Sequence, residues 1–163
     1  MVEKAMQGWY KKPLAYNDSL PILLPNVAEP IDTTFNWFVN QDDYYIIRQV
    51  DASCSKCIGQ MEVAQAFLEK HSEVKNLHFI MIVNAVIPDM AQEAIDKLQL
   101  DFPVLFQRNH EQFRRMNQLP INDDLFTNVL VNGRGEIILF GDALFNELTE
   151  ELFLSIAKGE CGV

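Results

Sequence analysis

The chain of 163 residues is short of several things, and each shortage excludes a class of protein. It has 3 cysteines, too few for a fold stapled by a disulfide framework. Basic residues are few: 13 Lys and Arg stand against 23 Asp and Glu, a formal charge of −10. That balance argues against a nucleic-acid backbone or an anionic membrane surface as partner. No apolar run approaches the roughly 20 residues that cross a bilayer. The start of the chain also lacks a charged segment followed by an apolar signal core. There is no internal repeat and no low-complexity tract. Glycine and proline are modest at 7 each, but four of the prolines (Pro13, Pro21, Pro25, Pro30) fall in the first thirty residues.

What remains is a composition that folds. Hydrophobic residues make up 48% and aromatic residues 10%, which suits a single globular domain with a full core. The prolines preclude a long helix before residue 31, so residues 1–30 read as an extended arm. A short strand is expected around Leu20 to Leu24, with Trp9 and Tyr10 pinning the arm to a body over 31–163. Thr34 to Val39 reads as a further short strand, with Phe35 and Trp37 in the core. Tyr44 to Val50 and Leu77 to Val83 are mostly apolar, β-rich runs of the kind buried on both faces of a sheet. Between them, residues 55 to 71 carry Met61, Ala64 and Leu68 at helical spacing, with Val63 and Phe67 beside them. Pro88 suits a first helical turn leading into Ala91 to Leu98. Phe102 to Phe106 is a short strand and His110 to Asn117 a short helix. Phe126 to Val131 and Glu136 to Phe140 flank Asn132-Gly133-Arg134-Gly135, a hairpin signal. Asn146 can cap a last helix, residues 147 to 158, with Leu148, Leu152 and Ile156 as its apolar stripe and Gly159 as its stop. The order β-α-β-α-β(α)-β-β-α implies an α/β fold, with helices flanking a mixed central sheet and an antiparallel hairpin at one edge.

The chemistry centres on Asp51-Ala52-Ser53-Cys54-Ser55-Lys56-Cys57-Ile58-Gly59, two cysteines three apart between a strand and a helix. A thiol there meets the unpaired N–H groups and the positive end of the helix macrodipole, which favour the thiolate. Thiolates attack disulfides, so Cys54 is the expected nucleophile and Cys57 the resolving thiol. Lys56 adds a positive charge beside Cys54. C-x-x-C thiols fall between about 3.5 and 7.5 in pKa, which leaves substantial thiolate at neutral pH. The pair could also be an inert structural disulfide. A metal site would need two more ligands, and His71, His78, His110 and Cys161 form no second close pair, so no metal is expected. Cys161 reads as mobile and free. His71 and His78 read as packing or dipole partners, Arg114-Arg115 as a solvated helix face, and Glu147, Glu150 and Glu151 as acids suited to a helix start.

On the strand Tyr44 to Val50, the pair Cys54-Ser55-Lys56-Cys57 and the segment Thr127-Asn128-Val129-Leu130-Val131-Asn132, the chain resembles the thioredoxin-like superfamily. It is most similar to the exported thiol–disulfide oxidoreductase branch of TlpA and ResA. The spelling Val50-Asp51-Ala52-Ser53-Cys54 looks closer still to thioredoxin-like lipoproteins of Bacteroidetes, which carry a similar N-terminal arm. The resemblance implies exchange with protein disulfides and dithiols, an upstream redox partner, no organic cofactor, and a place in the cell envelope or periplasm, with a lipid anchor upstream as one arrangement. The alternatives are a cytoplasmic location and a binding or scaffold protein that kept the fold with little exchange activity. Three positions depart from the family pattern, one of them Ser53, which stands where an aromatic residue often precedes the first cysteine. The cis-proline that docks substrates aligns with Phe126, so Phe126 and Thr127 are the expected docking segment. Six positions before Cys54, where thioredoxins bury an acid, stands Arg48.

Overall fold

A computed structural model of the chain describes residues 8–15, 21–23, 31–32, 42–51, 55–84, 95–107, 109, 111–120 and 126–161, with backbone alone for 21–23, 31–32, 51 and 55–57. The elements are β1 (Pro21–Leu23), β2 (Ile31–Asp32), β3 (Tyr44–Asp51), α1 (Ser55–Lys70), β4 (Leu77–Asn84), β5 (Val104–Gln107), α2 (Gln112–Met116), β6 (Asn128–Asn132), β7 (Ile137–Phe140) and α3 (Glu147–Ala157). They form one sheet in the order β2-β1-β5-β4-β3-β6-β7. The central strands β3, β4 and β5 are parallel, because helical or long connections return the chain to the same edge. β6 runs antiparallel to β3, β7 to β6, β1 to β5 and β2 to β1. The expected α/β architecture with a mixed sheet is the one observed. The expected strand at residues 34–39, with Phe35 and Trp37, and the start of the helix after Pro88 lie outside the described residues.

The long apolar runs are explained by two cores, one on each face of the sheet. Along β3 and β4 successive residues point to opposite faces. Ile46, Val50, Phe79, Met81 and Val83 join Met61, Ala64 and Phe67 of α1 and Phe153 and Ile156 of α3 in the first core. Tyr45, Ile47, Ile80 and Ile82 join Phe113, Phe126, Val129 and Phe140 in the second. Each such side chain, fully buried, stabilises the fold by about 1.5–3 kcal/mol before entropy is counted.

The second core is completed by the N-terminal arm. Trp9 packs edge-on against Phe126 and Phe140, at 5.1 and 5.7 Å between ring centroids. Its indole N–H donates to the Asn117 carbonyl at 3.3 Å. Asn117 in turn binds Ala15 from both ends of its amide, at 2.7 and 2.9 Å. The backbone of Lys11 to Leu14 extends the sheet beside β7, through Lys11 N to Ile137 O, Ile137 N to Lys12 O and Leu14 N to Gly135 O. Trp9 therefore pins the arm as expected. Tyr10 does not: its side chain is exposed.

At the hairpin, the Asn132 side chain accepts from the N–H groups of Arg134 and Glu136 at 3.0 and 2.9 Å. Gly135 supplies the left-handed residue at φ 74° that closes the turn.

The last helix corrects an expectation. Asn146 caps it, accepting from Thr149 N at 3.0 Å. Gly159 ends it at φ 72°. Yet the buried face is Phe153, Leu154, Ile156 and Ala157, while Leu148 and Leu152 are exposed at 78% and 41%. Both residue sets keep helical spacing, so periodicity alone does not choose between them. The hand-over from β7 through the loop at 141–146 sets the rotation of the helix.

Glu150 joins α3 to α1. Its Oε1 accepts from Lys70 Nζ at 2.6 Å and meets His71 Nε2 at 2.7 Å. The Lys70 hydrogen bond, opposed in part by burial, holds the Glu150 carboxyl below the ordinary carboxylate range. A depressed folded pKa contributes stability above the unfolded value, near about 4.3, that is lost as pH falls through the folded value. Urea denaturation from pH 6 down to pH 3 should therefore show a smaller acid-side loss of stability in Glu150→Gln than in the wild type. Equal slopes for the two proteins would contradict this assignment. His78 contacts Asp43 at 3.0 Å and stacks on Tyr45, while Arg115 pairs with Glu111 on an exposed face. These side chains have the packing and surface roles expected of them, whereas Arg114 is half-buried and donates to the Pro120 carbonyl.

Candidate functional site

The C-x-x-C segment spans the junction of β3 and α1. Cys54 lies outside the described residues, and so do Ala52 and Ser53. Lys56 and Cys57 are the second and third residues of α1, in its first turn. That turn carries no acidic residue, so nothing in the helix itself offsets the positive end of its dipole. The cause of this placement is local. β3 is apolar and β-branched up to Val50, and the helix-forming run Gln60 to Lys70 follows within a few residues. The connection is too short to move away, so the helix starts at the carboxyl end of a central strand. In open α/β sheets that end is where ligands and reactive groups gather.

The same end of the sheet receives the segment that carries Phe126 and Thr127. β6 is antiparallel to β3, with Asn128 opposite Arg48, so the residues before Asn128 continue towards the carboxyl end of β3. Thr127 is half-buried there. Phe126 is 5% exposed, and its ring is packed between Trp9 and Phe140 in the second core. The ring is thus a core group.

Arg48 is 3% exposed, on the β3 face that carries Ile46 and Val50 and is covered by α1. A buried guanidinium must be hydrogen-bonded and charge-compensated, and this one is both. Its Nη1 donates to Asn128 Oδ1 at 2.9 Å and to Asp142 Oδ1 at 3.1 Å. Nε and Nη2 donate to Gln60 Oε1 of α1 at 3.3 and 3.2 Å. Asn128 Nδ2 donates to the same Asp142 oxygen at 3.0 Å, and Leu144 N does so at 3.2 Å. The Phe145 ring, 61% exposed, lies 5.5 Å from the guanidinium carbon and covers it from the solvent side.

Gly141 makes this approach possible. Its φ is 156°, and a Cβ there would stand 2.6 Å from Thr149 Cγ2. With no side chain, the strand-to-helix turn tightens enough to deliver Asp142 to Arg48. Arg48 is conspicuous in the sequence as a charge inside an apolar strand. Gln60, Asn128, Asp142 and Phe145 carry no comparable signal, because each looks like an ordinary surface residue until the fold assembles them.

Cys161 is a free thiol, half-buried against the first core. Asn76, just before β4, donates to the Ala157 carbonyl at 2.7 Å. The end of α3, and Cys161 with it, therefore lies at the pole opposite Cys57. No group of three or more His, Cys, Asp or Glu side chains suited to a metal ion occurs among the described residues. No helix among them is long and apolar enough to cross a membrane.

No protein-family model and no curated protein sequence matches the chain. Solved structures do. A protein from Bacteroides vulgatus, named as a candidate thiol-disulfide oxidoreductase, matches with a TM-score of 0.63 at 17% identity, over 91% of this chain and 92% of that one. A thioredoxin-like protein in its oxidised form matches with a TM-score of 0.63 at 13% identity, over 94% and 98%. An uncharacterised thioredoxin-like protein from Porphyromonas gingivalis matches at 0.57 and 17%, over 93% and 92%. At such identities the likeness is one of fold. The chain has the thioredoxin-like fold seen among thiol–disulfide oxidoreductases, over nearly its whole length.

Proposed function

We propose that this protein exchanges thiols and disulfides in protein substrates through Cys54 and Cys57. The observation that carries the reading is the position of Cys57 in the first turn of α1, at the carboxyl end of the central strand of a thioredoxin-like fold. In the reducing direction, the Cys54 thiolate attacks one sulfur of a substrate disulfide. The substrate S–S bond breaks, a Cys54–substrate disulfide forms, and the departing thiolate takes up a proton. The Cys57 thiolate then attacks the Cys54 sulfur and releases the second substrate thiol. Two electrons have passed to the substrate, and the Cys54–Cys57 disulfide awaits an upstream dithiol. Lys56 and the helix dipole favour the Cys54 thiolate. The backbone at Phe126 and Thr127 holds the substrate chain, and neither metal nor organic cofactor takes part. The setting is the cell envelope, where such partners work on exported proteins.

A binding or scaffold role is the competing reading, favoured by Phe126 where the family places its docking proline. Equilibration in glutathione or dithiothreitol buffers separates the two. A reversible Cys54–Cys57 disulfide is expected, with a potential near about −270 mV marking a reductant and one near about −120 mV an oxidant. A pair that never forms a reversible disulfide overturns the exchange reading.

A further inference from the structure

The buried cluster beside α1 bears on the second step of that exchange. We propose that Arg48 is a positioning residue whose buried charge, aimed at α1 and anchored by Asp142 and Asn128, holds Cys57 as a thiolate ready to resolve the mixed disulfide. The inference rests on the proposed function, and it concerns a residue that reaches the sulfur chemistry only through the helix.

The polarity of the ion pair is the central observation. Of its two members, the guanidinium faces α1 and donates twice to Gln60. The carboxylate faces the loop between β7 and α3, where it accepts from Leu144 N, and its side chain is 31% exposed. Water screens the negative end more than the positive end. Gln60 and Cys57 are three apart on one helix, which makes them neighbours on its surface. The cation is therefore bound to the residue one turn along α1 from Cys57, and the helix dipole acts in the same sense.

Among the described side chains, α1 also carries Glu62, which is exposed. β4 presents Met81 opposite Arg48, and β6 presents the neutral Asn128. Asp51 ends β3. From α3, Glu147 and Glu151 are exposed and Glu150 is occupied with Lys70 and His71. A purely structural cluster has less to recommend it, since apolar replacement of a buried ion pair is often neutral or stabilising.

In the exchange, Cys57 gives up its proton to the departing substrate thiolate. Its own thiolate then breaks the Cys54–substrate bond and forms the Cys54–Cys57 bond. Arg48 takes no proton and stabilises the charge on sulfur between those events.

The test reads the thiolate directly. In a Cys54→Ser, Cys161→Ser background, Cys57 is the remaining thiol, and its ultraviolet thiolate absorbance is titrated against pH. Arg48→Met should lower the thiolate fraction at a given pH about tenfold, Arg48→Lys should restore most of it, and Asp142→Asn should raise it. With both active cysteines present, Arg48→Met should shift the equilibrium with glutathione about tenfold towards the disulfide, or about 30 mV lower. Asp142→Asn should shift it the other way. Loosened packing would move both variants in one direction, so opposite signs support the assignment. Shifts of like sign, or none, overturn it. Should Arg48→Met not fold, Asp142→Asn decides alone: a raised thiolate fraction supports the role and an unchanged one overturns it. A wild-type protein without a reversible disulfide would defeat the exchange reading, while the titration of Cys57 would still decide the role of Arg48.

Discussion

Cys54→Ser should reduce insulin disulfides no faster than the uncatalysed background, a loss of at least about 10³-fold, on the scale felt when a covalent nucleophile is removed. A hydroxyl cannot form the mixed disulfide, so no partial route remains. Cys57→Ser should lose turnover as well, for a different reason. Its Cys54 still attacks, but nothing resolves the product, and a covalent adduct with the substrate should accumulate. Mass spectrometry of the trapped complex would assign the linkage to Cys54. Cys161→Ser should be silent in the same assay, since Cys161 packs on the first core at the far pole of the sheet. A Cys54→Ser protein with unchanged activity would refute the exchange reading, and an adduct through Cys161 would refute the assignment of roles.

The second large effect is on stability, and it comes from the last helix. Phe153→Ala should destabilise the fold by about 3–5 kcal/mol, because the ring is fully buried between α3 and the sheet and leaves a cavity. Leu148→Ala, five residues earlier on the same helix, should change stability by no more than about 0.5 kcal/mol, because that side chain is 78% exposed. Equilibrium urea denaturation, with similar slopes for the two variants, would measure both. Similar losses at the two sites would mean that α3 is rotated from the orientation described.

This contrast shows what kind of information the chain displays along its length. β3 and β4 were legible because burial on both faces demands mostly apolar residues, and few other arrangements tolerate Leu-His-Phe-Ile-Met-Ile-Val. The hairpin was legible because Gly135 takes the left-handed φ that closes the turn and the Asn132 side chain accepts from the turn's N–H groups. The start of α1 was legible because a strand, two cysteines and a helix-forming run follow one another without room for a detour. In each case a local physical requirement selects residue types directly.

Where the requirement is not local, the chain is silent. On α3, Leu148, Leu152 and Ile156 make as good a stripe as Phe153, Ile156 and Ala157. Only the loop from Gly141 to Asn146, packed against Thr149 and Arg48, decides which one turns inward. Phe126 matched a docking position by alignment, yet its ring became core because Trp9 came across from the N-terminal arm to meet it.

Short-range stereochemistry and hydrophobic pattern were enough to set the sheet's central strands, the α/β class and the place of Cys57 in the first turn of a helix. It was left to tertiary structure to join Arg48, Gln60, Asn128 and Asp142 into one hydrogen-bonded cluster around a buried guanidinium. Those residues come from four separate segments, spread from position 48 to position 142. Their charges and amides acquire a common purpose only once the sheet excludes water from around them, which makes an unpaired charge costly and a paired one directional.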